Sequence, residues 1–286
     1  MIDELTILIT TRNRPDFLTV ALESVRQAFG EKMKVTIGDN GDPETTQELL
    51  RARDYFGLDV THVANPPGST YTDNLQTVVD ACQTPWFSLL HDDDFFVGVV
   101  GGQILPLLGQ ADVDFVFSDH WVAHNDGRLD EALTVQNSAH YGRNRLTSGP
   151  VSDLGLLFMQ QSICLDGFFC RTAFAQKHRL DRSLPVFAQN KWMPEILHGR
   201  KGGYLSDRLF AYRQSSISLT AQGMDRFEIL TALLGIRLPP GGAYEALKAK
   251  IRLARWSALK NSLKTGKIFT PRVLAIMMKS GGCRRG

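Results

Sequence analysis

The opening of the chain alternates between two periodicities, and that alternation limits the folds open to it. Leu5–Thr10 (LTILIT) is a short apolar, β-branched run that reads as a buried strand. After the loop TRNRP, the segment PDFLTVALESVRQAF carries Phe17, Leu18, Ala21, Leu22 and Val25 at helical spacing, with Pro15 in the first turn. The pattern then repeats. KVTIGD is a strand, PETTQELLRARDYFG a helix, LDVTHVAN a strand, DNLQTVVDAC a helix and PWFSLL a fourth strand. Strand-helix-strand alternation implies a mostly parallel sheet flanked by helices, because parallel neighbours need crossover connections. Ligands of such sheets bind beyond the carboxyl ends of the strands. Three polar strand ends should therefore share one edge: TTRNRP, GDNGD and HDDDFF.

The rest of the chain is less regular. VDFVFSDHWV reads as a further strand, and RTAFAQKH, NKWMPEILHGR and YLSDRLFAYR as helix, helix and strand. Asn137–Gly155 is rich in Ser, Asn, Gly and Arg and reads as a long loop. Tyr244–Leu263 has Leu247, Ile251, Ala254 and Ala258 on one helical face, with Lys and Arg around them.

Bulk properties are those of a globular chain: 286 residues, 43% hydrophobic and 22% charged. The formal net charge of +2 hides an asymmetry. Residues 241–286 hold eleven Lys and Arg against one acid, Glu245, while the first 240 residues hold 21 basic and 29 acidic side chains. Cys82, Cys164, Cys170 and Cys283 form no CxxC pair, so free thiols in a reducing compartment are expected. The first residues lack the basic start, apolar stretch and cleavage site of a secretory leader, and no window is apolar enough to span a bilayer. A cytoplasmic location is expected.

Asp92, Asp93 and Asp94 pose an electrostatic problem, since adjacent carboxylates raise one another's pKa and cost stability. A solvated acidic turn is one solution, and a divalent cation is another. Hard oxygen ligands suit Mg2+ or Mn2+, held by one or two carboxylates together with substrate phosphates. The triplet ends a buried strand on the ligand edge, which favours the cation.

The ordered elements TILITTRNRP, IGDNGD, NPPGSTYTDN and FSLLHDDDFF resemble the inverting glycosyltransferases of family two, which have the GT-A fold, over about Leu5–Asp94 and more loosely to Tyr212-Arg213. The resemblance implies an α/β, Rossmann-like sheet with a basic helical C-terminal extension. The glycosyltransferase domain would be residues 1–222, with 1–97 as its nucleotide-binding half and 98–222 as its acceptor half, and the extension would be 223–286. It implies a hexosyltransferase-type enzyme that uses a nucleotide-sugar donor, a glycan or lipid-linked acceptor, and Mn2+ or Mg2+. UDP is the default nucleotide, with GDP and dTDP open because Asp73 stands where many members carry Arg. By the same resemblance Thr11 and Arg12 line the nucleotide, Asp39 contacts the base, Asn74 opens the helix before the metal strand and belongs to the nucleotide-binding set, and Asp92 and Asp94 are ribose-side groups or groups behind the metal ligand. Asp93 matches the metal ligand, with Asp94 beside it.

Three departures from the family pattern matter. His91 falls where the form LDADD has its first Asp. The family's Glu-Asp pair, which supplies the general base, falls on Gln189 and Asn190, and an amide cannot take a proton near neutral pH. Asn190 is therefore the base position in neutral form, and Asp166 and Glu195 are the carboxylates offered in its place, whereas Asp181 matches a structural turn. Ser215 occupies the position of a metal-binding His in the family's Tyr-Arg-x-His. A catalytically impaired or non-catalytic sugar-nucleotide or glycan-binding relative is thus the alternative to an active enzyme. No GxGxxG follows the first strand, which speaks against a dinucleotide oxidoreductase. No nucleic-acid module is recognisable, and no nucleic-acid partner is expected. The basic tail either covers an edge of the domain or attaches it to the inner face of an anionic membrane, using Leu247, Ile251, Trp256 and the segment VLAIMM.

Overall fold

The computed structural model describes residues 2–52, 54–214 and 226–265. The amino-terminal half runs β1 (Leu5–Thr11), α1 (Pro15–Phe29), β2 (Lys34–Asp39), α2 (Pro43–Ala52), β3 (Asp59–Ala64), α3 (Tyr71–Ala81) and β4 (Trp86–His91). There follow β5 (Phe95–Phe96), α4 (Gly101–Leu108), β6 (Phe115–Ala123), β7 (Leu129–Asp130), α5 (Glu131–His140), β8 (Gly149–Val151), α6 (Leu154–Met159), β9 (Phe169–Arg171), α7 (Thr172–Lys177), α8 (Gln189–Leu197) and β10 (Gly202–Arg213). Helices α9 (Arg226–Gly235) and α10 (Gly242–Thr265) complete the described chain.

The strands form one sheet in the order β3-β2-β1-β4-β9-β6-β10-β5, with β7 added to β6 and β8 to β10. β3, β2, β1 and β4 are mutually parallel, as the alternating pattern requires. All seven residues of β1 are buried, because a central parallel strand is covered by helices on both faces. The sheet is mixed rather than uniformly parallel: β9 lies antiparallel between β4 and β6. Three residues are too few for β9 to register in a periodicity.

Register places the strand ends level. Thr11 pairs with Asp39, Asp39 with Ala64, and Thr10 with His91. Each face carries its own core. One contains Ile7, Ile9, Leu18, Leu22, Val25 and Phe169, packed under α1 and α4. The other contains Leu8, Leu75, Val78, Phe87, Phe115 and Trp192. Fully burying one such Leu or Val contributes about 1.5–3 kcal/mol, so α1, with Leu18, Leu22 and Val25 all buried, is anchored mainly by that face. Leu230, Leu233, Leu247, Ile251 and Ala258 of α9 and α10 are buried in the second core, and α10 packs against α9 and α6.

Two local expectations are corrected. α3 begins at Tyr71 rather than Asp73, because Thr70 and Asp73 form a reciprocal capping box. Asn137–Gly155 is not a loop but holds the end of α5, a 3-10 turn at Arg143–Arg145, β8 and the start of α6. A buried charge orders its first part, while Leu154 is buried in the second core and Leu146 and Val151 pack against it. Arg143 is 1% exposed. It donates through Nε to Asp119 at 2.6 Å and also to Asn137, while the Ser138 hydroxyl donates to Asp119 at 3.0 Å. No described helix is long and apolar enough to cross a membrane. Cys82, Cys164 and Cys170 are free thiols, and Cys283 lies outside the described residues.

Candidate active site at the strand ends

The first wall of the site is built by one buried carboxamide. Asn74, on α3, is 1% exposed. Its Nδ2 donates to the carbonyl oxygens of Thr11 (3.2 Å) and Gly38 (3.0 Å) and to Asn40 Oδ1 (3.3 Å), while its Oδ1 accepts from Asn65 Nδ2 (2.9 Å). It thereby ties together the ends of β1, β2 and β3. Position 38 is glycine for steric reasons, since a Cβ there would lie 2.2 Å from Asn74 Oδ1. The family resemblance places Asn74 among the nucleotide-binding residues, and its carboxamide is engaged by the ends of these strands. Asn13 adopts a positive φ of 54° and accepts from the Asp42 N–H at 2.6 Å, joining the β1 and β2 loops.

Asp39 ends β2 with its carboxylate buried. It accepts from the Gly41 N–H at 2.7 Å and lies 3.4 Å from His62 Nε2. Burial alone would raise its pKa, but hydrogen bonds from His62, Thr46 and Gly41 outweigh that and hold it below the ordinary value. Thr11, also buried, donates its hydroxyl to Asp92 at 2.8 Å. Arg12 is exposed. Arg14, a residue that sequence reasoning did not single out, reaches Asp92 and Asp93 at 3.3 Å each. The dense basic run of TTRNRP was its only trace in the sequence.

The three consecutive carboxylates are solved in three ways. Asp92 is pushed up to about 6 by burial and by Asp93, against the pull of Arg14 and Thr11. Asp93 remains partly accessible beside Arg14. Asp94 is buried and held well above the ordinary carboxylate value by burial and by Asp166, while accepting from the Arg213 N–H at 2.8 Å. Arg213 closes the turn. Its Nε donates to the Asp93 carbonyl at 2.7 Å, and its guanidinium sits between the Phe17 and Phe95 rings at 4.9 and 5.1 Å. Ser215, two positions on, lies outside the described residues.

His91 joins this cluster to a distant segment. Its Nδ1 lies 2.7 Å from Asp166 Oδ1, its backbone N–H donates to the same oxygen at 2.8 Å, and its Nε2 lies 2.6 Å from the Tyr71 hydroxyl. His91, Asp94 and Asp166 each offer a ligand atom within 4.8 Å of the others. The donor chemistry fits a divalent cation. Two buried carboxylates, Asp94 and Asp166, face each other, and a cation would relieve their repulsion. Tyr71 and the proximity of Asp166 to the acid turn were not readable from the sequence, since 75 residues separate Asp166 from His91.

The remaining base candidates lie on α8. Asn190 is half-buried in its first turn, and the Gln189 side-chain oxygen is buried without a hydrogen-bond partner among the described residues. The segment before α8 is pinned to the first turn of α3: Thr72 N–H donates to Pro185 O at 3.1 Å and the Thr72 hydroxyl to Leu184 O at 2.5 Å. Glu228 of α9 holds it from the other side by accepting from the Val186 and Phe187 N–H groups at 2.7 and 2.6 Å. Glu195, whose pKa burial raises, has Lys191, His178, Asp181 and Arg237 as charged neighbours, none of them from the acid turn. Asp181 pairs with Lys191 at 3.0 Å, consistent with a structural turn.

The mixed α/β sheet, with an acid turn at the end of its fourth strand level with the ends of the first two, is the arrangement that the resemblance to GT-A glycosyltransferases implies. Sequence comparison narrows the class. The profile of Glycosyl transferase family 2 matches residues 6–154, just over half of the chain, and the chain belongs to that family. No curated protein matches the sequence. Among solved structures, S. aureus TarS 1-349 in complex with UDP-GlcNAc superposes with a TM-score of 0.66 at 14% identity, over 96% of this chain and 79% of that one. Mannosyltransferase PcManGT from Pyrobaculum calidifontis, in complex with GDP-Man and Mn2+, gives 0.59 at 11% identity, over 96% and 83%. The longer S. aureus TarS structure gives 0.60 at 15% identity over 89% of this chain, which spans only 44% of that longer chain. At such identities these likenesses establish the fold.

Proposed function

We propose that the protein transfers a hexosyl group from a nucleoside diphosphate sugar, a UDP-sugar in the first instance, to a hydroxyl of a glycan or lipid-linked acceptor. The anomeric configuration inverts, and a divalent cation, Mn2+ or Mg2+, is required. One observation carries this reading: Thr11, Asp39 and the Asp92–Asp94 turn stand level at one sheet edge, cross-linked by Arg14 and Asn74. Similar folds hold UDP-GlcNAc or GDP-Man with Mn2+, which supports the donor class and the ion.

Asp39, kept ionised, accepts from an N–H of the base. Asp92, steadied by Thr11 and Arg14, serves the ribose. Asp93 and Asp94 hold the cation, and His91 and Asp166 are near enough to complete its environment. When bound, the cation supplies positive charge where the leaving diphosphate develops negative charge. A general base takes the acceptor proton as that oxygen attacks from the face opposite the leaving group. Of the base candidates, Asp166 lies inside the acid cluster and Asn190 on a segment fixed against the helix that carries Tyr71.

The neutral amide of Asn190 favours a second reading, a nucleotide-sugar-binding relative that turns over slowly or not at all. A thermal-shift panel of UDP-, GDP- and dTDP-sugars with and without Mn2+, followed by a turnover assay, separates the two. Stabilisation with turnover supports the enzyme, and stabilisation without turnover supports the second reading. No stabilisation by any donor would sink both.

A further inference from the structure

Helix α10 presents two unlike faces. Leu247, Ile251 and Ala258 are buried in the core beside α6 and α9, so the helix is fixed on the domain in one rotation. On the opposite side Arg252, Leu253, Trp256 and Lys260 point outward, and Leu253 is 69% and Trp256 64% exposed. At 3.6 residues per turn these four positions fall within an arc of about 100°. The acid on this face, Glu245, lies 2.7 Å from Lys248 and is neutralised there. Arg255 and Lys250 flank the arc. The result is an indole and a leucine set among cations on a convex cylinder, which offers no groove for a peptide.

Three kinds of partner could cover such a face. A second copy packed on the same face would set the cations Arg252 and Lys260 of one copy against those of the other. A nucleic acid would satisfy the cations but leave Leu253 without an apolar partner. An anionic bilayer surface satisfies both sets at once: headgroups meet the cations, the indole sits at the interface and the leucine enters the acyl boundary. We propose that the face of α10 formed by Arg252, Leu253, Trp256 and Lys260 docks the protein onto an anionic lipid bilayer. Of the surface read from the sequence, Trp256 is kept, Leu247 and Ile251 are spent in the core, and VLAIMM lies outside the described residues. The proposal does not depend on the donor, the acceptor or catalysis.

The test is co-sedimentation of the full chain with phosphatidylcholine vesicles and with vesicles containing phosphatidylglycerol, at low and high salt. Wild type should bind the anionic vesicles, and salt should weaken that binding. The double variants Leu253→Ser with Trp256→Ser, and Arg252→Glu with Lys260→Glu, should each bind roughly tenfold less or weaker, with unchanged melting temperatures because the side chains are exposed. Equal vesicle binding by wild type and both variants would overturn the proposal by assigning attachment to another segment. A fall in melting temperature would overturn it by showing the face already packed in solution. Tighter binding to an RNA oligonucleotide than to anionic vesicles, or a dimer abolished by the Leu253/Trp256 variant, would replace it with one of the other partners.

Discussion

His91 Nδ1 and Asp166 Oδ1 lie 2.7 Å apart, and this contact fastens the end of β4 to the segment before β9. Asp166 Oδ1 also accepts the backbone N–H of His91, so a single carboxylate oxygen fixes both the main chain and the ring. Asp166→Asn leaves His91 buried without its counter-charge, and breaking a buried pair on one side costs about 3–5 kcal/mol. For His91, burial lowers the pKa, but Asp166 and Tyr71 raise it further and leave it well above its ordinary value; for Asp166, burial raises the pKa, but His91 pulls it below. The Asp166 contribution is present above its unfolded value and is lost as pH falls through its folded one. The His91 contribution is complete below its unfolded value and is lost as pH rises through its folded one. Urea titrations of wild type and Asp166→Asn should therefore differ most between about pH 4 and 6.5. A difference that is flat with pH would refute the ion pair.

Asp92→Asn should stabilise the fold while weakening nucleotide binding. Burial and Asp93 push the Asp92 pKa up to about 6, so the folded state holds this proton more tightly than the unfolded one. Wild-type stability then falls as pH rises from about 4 to 6, by roughly 2 kcal/mol. In metal-free buffer the variant should gain that amount above pH 6 and nothing below pH 4, as read by chemical denaturation. An equal gain at both ends would mean that the carboxyl is not strained.

Asn74→Ala should cost about 1–3 kcal/mol by leaving the Thr11 and Gly38 carbonyls unpaired. Asn74→Asp should cost more, despite its nearly identical shape, because it turns a donor into a carboxylate facing those oxygens. Thermal melting ranks the two. If Asn74→Asp proved the milder change, the bonding assigned to Nδ2 would be wrong.

Mn2+ should raise the melting temperature of wild type and raise that of Asp93→Asn and Asp94→Asn much less, since removing a ligand removes binding to the folded state. Asp181→Asn, which alters the contacts with Ser183 and Lys191 but none at the acid turn, should respond to Mn2+ as wild type does. Indistinguishable responses from all four proteins would argue against a cation at the acid turn.

Asn190→Asp should raise the transfer rate roughly 10²–10⁴-fold if the amide sits where a base is needed. An unchanged rate with intact donor binding would move the base elsewhere and leave Asp166 as the candidate already in the cluster.

The parallel half of the sheet was legible because each strand and helix there carries its own periodicity, and the level ends of β1, β2 and β4 followed from topology. The acid turn was legible for the same reason. Arg14, Tyr71 and Asp166 were not, because their importance lies in contacts across 20 to 79 residues that no local pattern records. Asn137–Gly155 misled for a different reason. Its first part is ordered by a buried guanidinium, Arg143, on Asp119, and polar composition argues against burial until the partner is known; the few apolar residues that anchor the rest, Leu146, Val151 and Leu154, are too sparse to show a period. β9 escaped because three residues leave no period to detect. The chemistry of the acid turn was readable as charge; its resolution into one strained, one accessible and one shielded carboxylate required the folded surroundings.

Leu247 and Ile251 occupy the same core as Leu75 and Phe87. During synthesis the first strands and helices therefore emerge long before α10 does. A nascent chain that has not yet released Ile251 from the ribosome leaves the apolar flanks of α6 and α9 open to water. The interval in which the nascent protein is vulnerable to aggregation therefore lasts at least until these core residues of α10 arrive.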